Sequence, residues 1–385
     1  MNETPNAHPA LLPAGLADIL PPEAERQARS AEVIMDCFAA HGYERVTPPL
    51  LEFEDSLFAG SGAATAEQTF RLMDPESQRM MGLRADTTPQ IARLATSRLA
   101  DAPRPLRLAY CGPVLLVRGT QMQPERQLSQ AGIELIGPDL AAADAEIILT
   151  AIAALKAVGL EDLSVDLTIP RLAPMLLDEL PAPLHFDLAH ALDRKDAAAV
   201  AELGGAQAGL LLKLLEASGP AARAVPALLA AGLPEAVRSQ AERLAETVKA
   251  VRAVLPEVKL TVDPVEFRGY RYHTGVAMTI FATGQQMELG RGGRYLCGDA
   301  EPATGITLYP ERIIRLARPM ALRFRLYLPF GTSPAEAAAA RSQGYATVAG
   351  LAPNSAPERE ARRLYCSHLL QDGKIQALLE ETEKT

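Results

Sequence analysis

The sequence predicts an α+β fold: a mostly antiparallel sheet flanked by helices, with an inserted helical subdomain and a small C-terminal α/β tail. Three observations carry this prediction. Paired apolar runs flank polar turns in TFRLMDPESQRMMGLR and GPVLLVRGTQMQPERQLSQAGIELIG, the pattern of β-hairpins. Between residues 172 and 255 the pattern changes to Ala and Leu with charges at helical intervals. The last 60 or so residues then read strand, helix, strand, helix, which is a small α/β unit.

The elements follow in order. Ala28, Val33, Ile34, Cys37 and Phe38 are spaced as on a helix, and Gly42 stops it, so a helix is predicted from about 22 to 41 and a strand near 44 to 52. The hairpin around Asp74-Pro75-Glu76-Ser77 leads into RADTTPQIARL. There Thr87 or Thr88 can cap a helix over 88 to 100, with Pro89 in its first turn where a missing N–H costs nothing. Asp86 stands at the mouth of that helix, and a cap or a ligand contact are both open to it. After the second hairpin come an apolar helix (AAADAEIILTAIAALKAVG), a strand (DLSVDLTI) and the helical subdomain. His185 and His190 fall in that subdomain without metal-ligand spacing, so they read as surface or packing residues. Strands return at KLTVDPV, VAMTIFAT, QQMELGRGGRY and TGITLY, which leads into the helix PERIIRLA.

Composition narrows the function classes. With 385 residues and 48% apolar content the chain can bury a sizeable core in two to three domains. A formal charge of −9 argues against a general polyanion binder, because non-specific affinity for phosphate backbones comes from Lys and Arg. The four cysteines, Cys37, Cys111, Cys297 and Cys366, form neither a disulfide framework nor a zinc pattern, so no metal is expected. No apolar run reaches the roughly 20 residues of a membrane span, and MNETPNAHPA lacks the features of a signal peptide. A cytoplasmic protein with no membrane partner is expected.

The common catalytic templates are absent: no phosphate-binding loop, dinucleotide fingerprint, zinc helix or nucleophile elbow. Two segments stand out instead, EFRGYRYHTG (266–275) and ELGRGGRY (288–295). Glycines that admit a ligand to the backbone, interleaved with Arg, Tyr and His, suit a small anionic or zwitterionic ligand. On composition alone, either segment also reads as an arginine-lined surface hairpin.

The order of the motifs is more specific. A helix leading to a strand with Pro-Pro, a polar hairpin ending in Q-x-G-x-E, then R-G-x-x-Y-x-T-G, then G-R-G-G-R-Y followed by P-A-T-G-I and an Arg on a helix, resembles the class II aminoacyl-tRNA synthetase core. It is most similar to the histidyl branch, over about residues 11 to 318. The resemblance implies a class II synthetase-like core over 1–318, a helical insertion at 172–255 within it, and a separate C-terminal region at 319–385.

That resemblance also assigns roles. The positions lining the family's histidine pocket read here Asp86, Thr88, Gln130, Glu134, Arg268, His273 and Tyr295, with a shortened acid at 86 and His for Tyr at 273. On the ATP side, the second-motif Arg that grips the α-phosphate falls on Leu116, the following Glu on Arg118 and a loop Arg on Pro124, while Arg126 and the third-motif Arg312 remain. The Asp of the family's R-G-L-D-Y-Y is Arg271. Arg126 joins the pocket residues as an effector-binding candidate, and no catalytic residue is assigned.

A synthetase-like histidine module without its ATP chemistry resembles the family of ATP phosphoribosyltransferase regulatory subunits, and RGTQMQPERQLSQAGIELIG and the tail YATVAGL…ARRLYCSHLLQDGKI look like its members. This implies a non-catalytic, allosteric subunit acting at the first step of histidine biosynthesis. It would have no cofactor, L-histidine as effector, and short-form catalytic subunits as partners in a hetero-oligomer, expected to be a hetero-octamer. A homodimer through the first-motif region and no tRNA binding are further expectations. An active histidyl-tRNA synthetase and a stand-alone histidine- or RNA-binding module are the competing readings.

Overall fold

The computed structural model describes residues 11–120, 123–267, 272–298, 300–318 and 321–378. It divides into two units, Met1–Arg318 and Pro319–Thr385. The first is organised by a nine-stranded sheet made of Glu44–Arg45 (β1), Leu106–Leu115 (β2), Gln127–Ile136 (β3), Leu163–Thr168 (β4), Gly219–Pro220 (β5), Lys259–Val262 (β6), Ala277–Ala282 (β7), Glu288–Cys297 (β8) and Glu301–Leu308 (β9). Their spatial order is β1-β2-β3-β9-β8-β7-β4-β6-β5. Only β1–β2 and β4–β6 pair in parallel; the other neighbours are antiparallel.

Period-two alternation gives each long strand two different faces. In β3, Ala131, Ile133 and Leu135 join a large core with the helices Glu23–Ala40 (α1) and Ala141–Ala157 (α3). In β2, Leu106, Leu108 and Tyr110 point to the opposite face, where the helix Thr88–Thr96 (α2) covers them with Ile91, Ala92 and Ala95. Gln130 and Glu134 of β3 belong to that second face, and the candidate site lies there.

The helices between 172 and 254, ending in Glu235–Val254 (α4), do not build a core of their own. Leu188, Leu192, Leu211, Leu228 and Leu244 merge with the core of the sheet's α3 side, α4 packs on α3, and β5 joins the sheet itself. His185 Nε2 lies 2.8 Å from the Leu180 carbonyl, and His190 is exposed, stacked on an exposed Phe186.

Three element boundaries depart from the sequence expectation. The single strand near 44–52 is two, β1 and Leu51–Phe53, because Pro48 and Pro49 between them lack the N–H groups a ladder needs. Helix α2 stops at Thr96 instead of 100, where the Thr96 and Ser97 hydroxyls donate back to the Ala92 and Arg93 carbonyls. In the second unit the chain after the helix Pro357–Arg363 forms a hairpin, His368–Gln371 with Lys374–Ala377. Its turn is Asp372-Gly373, both at positive φ (51° and 71°), the two-residue chemistry that matches strand twist. Those strands extend a sheet whose centre, Arg325–Leu328, is parallel to Ala346–Ala349 and His368–Gln371.

The α3 face holds one buried ion pair. Arg294 of β8 reaches Asp144 of α3 at 2.8 Å, donates to the Pro138 and Leu140 carbonyls, and both charged side chains are almost fully enclosed. Removing one partner leaves a buried charge uncompensated, which costs roughly 3–5 kcal/mol, whereas apolar replacement of both is close to neutral. Urea unfolding of Arg294→Met should show a loss of that size, and Arg294→Met with Asp144→Leu should recover most of it. A double variant no more stable than the single one would contradict the assignment.

Candidate functional site

The site is assembled by the register of four strands. Tyr110 of β2, Gly132 of β3 and Thr307 of β9 stand in one cross-strand row, and Leu108, Glu134, Gly305 and Gly293 in the next but one. A Cβ at Gly132 would sit 2.4 Å from the Tyr110 hydroxyl, so this glycine lets the phenol cross β3 to Thr307, 2.6 Å away. A Cβ at Gly305 would lie 1.8 Å from Glu134 Oε2, so only glycine there admits the carboxyl. Glu134 accepts from Thr88 Oγ1 and from the Tyr295 hydroxyl, each at 3.0 Å.

Residues 86–88 are tied to the same strand. The Thr87 N–H donates to Gln130 Oε1 (2.9 Å), which turns the Gln130 amide so that Nε2 donates to Asp86 Oδ1 (3.0 Å). The Thr88 N–H also approaches Asp86 (3.4 Å), and the Tyr272 hydroxyl lies near enough to oppose the rise that burial imposes on it. The expected capping role of Thr87 or Thr88 is not what forms: no side chain caps α2, and the Thr88 hydroxyl is directed to Glu134 instead.

Five of the eight sequence candidates, Asp86, Thr88, Gln130, Glu134 and Tyr295, are therefore joined by direct hydrogen bonds. His273 lines the same cavity and is buried. Arg126 is not brought to it. Its guanidinium donates to the Ala14 and Leu116 carbonyls and lies over Phe70, because position 126 is four residues, about 13 Å of strand, before Gln130. Arg268 and Arg271 lie outside the described residues. Sequence reasoning missed Tyr110, Thr307 and Tyr272. Tyr110 had a local signal, since it alternates with Leu106 and Leu108 on one face of β2, but nothing local marked its partner.

The electrostatics of the pocket follow from burial. Glu134 is almost wholly enclosed, which pushes its carboxyl up to about 8, with the hydroxyl donors opposing and nearby Asp86 adding to the rise. Burial also raises Asp86, against the hydrogen bonds from Gln130 and the backbone. The phenols of Tyr110, Tyr272 and Tyr295 are pushed well above their usual range by burial and then by the carboxylates, so they remain donors at neutral pH. At neutral pH Glu134 is thus mostly protonated, and a cationic ligand would ionise it.

The neighbouring positions that the resemblance assigns to the ATP side are engaged differently. Leu116 is half-buried and pairs through its backbone with Arg126 (2.7 Å), and Arg118 is exposed. Arg312 donates to Gln123 and to the Glu288 carbonyl and lies over Tyr309. Beside it a cleft of about 770 Å³ opens between Leu128, Phe281, Met287, Gln27, Glu311 and Arg312. Among the described residues no cluster of His, Cys, Asp or Glu could hold a metal, and no helix is long and apolar enough to cross a membrane.

The Glu134 carboxyl has a consequence for stability. Its folded value lies above the ordinary 4.5, so protonation favours the fold at low pH, and that contribution is lost as pH rises from about 4.5 through about 8. Glu134→Gln, which mimics the protonated acid, should match the parent at pH 5 and exceed it at pH 8.5, by on the order of 4 kcal/mol at most. A pH-independent stability difference in chemical denaturation would count against the buried, uncharged carboxyl.

Comparison with known proteins places this geometry. The histidyl-tRNA synthetase family matches residues 15–313. Among solved structures, an ATP phosphoribosyltransferase regulatory subunit/histidyl-tRNA synthetase from Bacillus halodurans superposes with a TM-score of 0.78 over 93% of this chain and 97% of that one, at 23% identity. Histidyl-tRNA synthetase from Nostoc sp. PCC 7120 gives 0.75 over 95% and 92%, at 17% identity. A chain of the ATP phosphoribosyl transferase (HisG:HisZ) complex from Thermotoga maritima gives 0.58 over 74% and 97%, at 18% identity. These likenesses establish the class II, histidyl-tRNA synthetase-like α+β fold. The sequence relatives are nearer: the ATP phosphoribosyltransferase regulatory subunits of Gluconobacter oxydans and Paramagnetospirillum magneticum are 52% and 51% identical, over 98% and 97% of this chain and 99% of each relative. At that identity across nearly the whole length, the chain belongs to the family of ATP phosphoribosyltransferase regulatory subunits.

Proposed function

We propose that this chain is the non-catalytic partner of short-form ATP phosphoribosyltransferase catalytic subunits, supporting their activity in the first step of histidine biosynthesis and carrying histidine feedback to them. The assembly is a cytoplasmic hetero-oligomer, a hetero-octamer containing homodimers of this chain joined through the first-motif region, without tRNA. The observation that carries this reading is the uneven state of the two halves of the site. The amino-acid half is a connected network of Asp86, Thr88, Gln130, Glu134 and Tyr295. The phosphate half presents Leu116, and Arg126 is held by the Ala14 and Leu116 carbonyls. A charge-assisted contact is worth roughly 1.5–3 kcal/mol, and a leucine supplies none of it to a phosphate in either the ground or the transition state.

The two carboxyls of the pocket suit the cationic ammonium or imidazolium of L-histidine, the proposed effector, with Arg268 as the donor for its carboxylate. Inhibition then requires that histidine bind one quaternary state better than another, since only differential affinity shifts an equilibrium, and couplings of about 1–3 kcal/mol are usual.

Mixing the purified chain with a short catalytic subunit should restore phosphoribosyl transfer and make it histidine-sensitive. Glu134→Gln and Arg268→Ala should each raise the inhibitory histidine concentration by about tenfold while co-elution with the catalytic subunit persists. Unchanged inhibition in both variants would place the effector elsewhere. Histidine-dependent exchange of labelled pyrophosphate into ATP by the chain alone would overturn the non-catalytic reading in favour of a synthetase.

A further inference from the structure

The amino-acid pocket is already filled from within. Tyr272 stacks on His273 with ring centroids 4.5 Å apart and a 20° interplanar angle, and meets Tyr295 edge-on at 6.0 Å. The Tyr272 hydroxyl stands near Asp86, a carboxylate that an ammonium would otherwise meet. His273 is only 6% exposed, and its ring is packed so closely on Gly293 that a Cβ there would lie 2.6 Å from its Cδ2. What remains beside Thr88, Glu134, Tyr295 and Gly305 is a cavity of about 10 Å³. That is room for about one water, where sites for small molecules run to roughly 300 Å³ or more.

We propose that the Tyr272–His273 pair is an internal plug, and that an amino acid enters the Glu134 pocket only when this pair leaves it. The inference rests on the reading of the pocket as the effector site and adds how that site is regulated. The plug resembles the ligand in its chemistry: an imidazole in the cavity that Glu134 lines, and a hydroxyl near Asp86 where an ammonium would stand. Binding is then an exchange of an internal aromatic pair for an external amino acid. The apparent affinity is reduced by the fraction of molecules in which the pair is out, so weakening the plug must tighten binding. Because His273 lies four residues before β7, the first residue of which pairs with Gly293, displacement of the pair acts directly on the edge of the β7–β8 ladder.

Calorimetric titration of the full chain with L-histidine tests this. Tyr272→Phe, which removes only the hydroxyl that stands near Asp86, should lower Kd about threefold, and His273→Ala about tenfold. In parallel, millimolar imidazole should raise the melting temperature of His273→Ala, by refilling the space the ring vacates, and leave the parent unchanged. Equal or weaker histidine affinity in both variants would overturn the plug while leaving the pocket as the effector site. If none of the three chains binds histidine yet His273→Ala still takes up imidazole, the effector reading fails and the pair stands as the filling of the pocket. Failure of both the affinity gain and the imidazole effect would remove the plug altogether.

Discussion

The placement of Glu134 directly across from Gly305 is the constraint on which the rest of the site depends. Antiparallel pairing of β3 with β9 sets the carboxyl over a residue that has no side chain, and any other residue at 305 would occupy the carboxyl's own position. Once the carboxyl is seated there it is cut off from water, so its ionisation is costly and its oxygens must be met by neutral donors. Thr88 and Tyr295 meet that need from the two sides, one at the start of α2 and the other on β8. The fold thereby holds a carboxyl whose charge state responds to whatever enters the pocket.

The opposite face of the sheet contributes rigidity of a different kind. Arg294, next to Tyr295 in sequence, points away from the pocket and is locked to Asp144 and to the carbonyls ahead of α3. Alternation along one strand thus places a pocket hydroxyl on one side and a buried ionic anchor on the other. The anchor limits how far β8 can shift, which favours local exchange of the Tyr272–His273 pair over movement of the strand.

The uneven inheritance of the two half-sites has a simple energetic sense. In the function proposed above, retained carboxyls and hydroxyls would preserve recognition of a small zwitterion, while a leucine at 116 would offer no charge to a phosphate. A subunit that binds an amino acid without activating it does not consume ATP in the presence of its effector. On that proposal the connected hydroxyl network would serve binding, with any coupling to a partner limited to the difference in affinity between two assembled states.

Much of this was legible in the sequence. The helical spacing of α1, the hairpin around 115–127, the order of the motifs and the common facing of Gln130 and Glu134 all arise from local periodicity, which a chain carries in itself. Local chemistry also held signals that went unread, notably Asp372-Gly373 at the tip of the tail hairpin that follows the last expected helix. Other features depended on distance. Glu134 and Tyr295 are 161 residues apart, and Tyr110 and Thr307 are 197 apart, so no window of sequence contains either pair. Arg126 is set outside the pocket by its offset along the strand from Gln130, and one of the carbonyls that hold it, Ala14, is 112 residues away. By itself the sequence determined which residues share a face, because side-chain direction alternates with the backbone. Only the tertiary structure decided which faces meet, that Gly305 leaves space for a carboxyl, and that Tyr272 and His273 close over it, because those outcomes depend on strand register and packing between segments far apart in the chain.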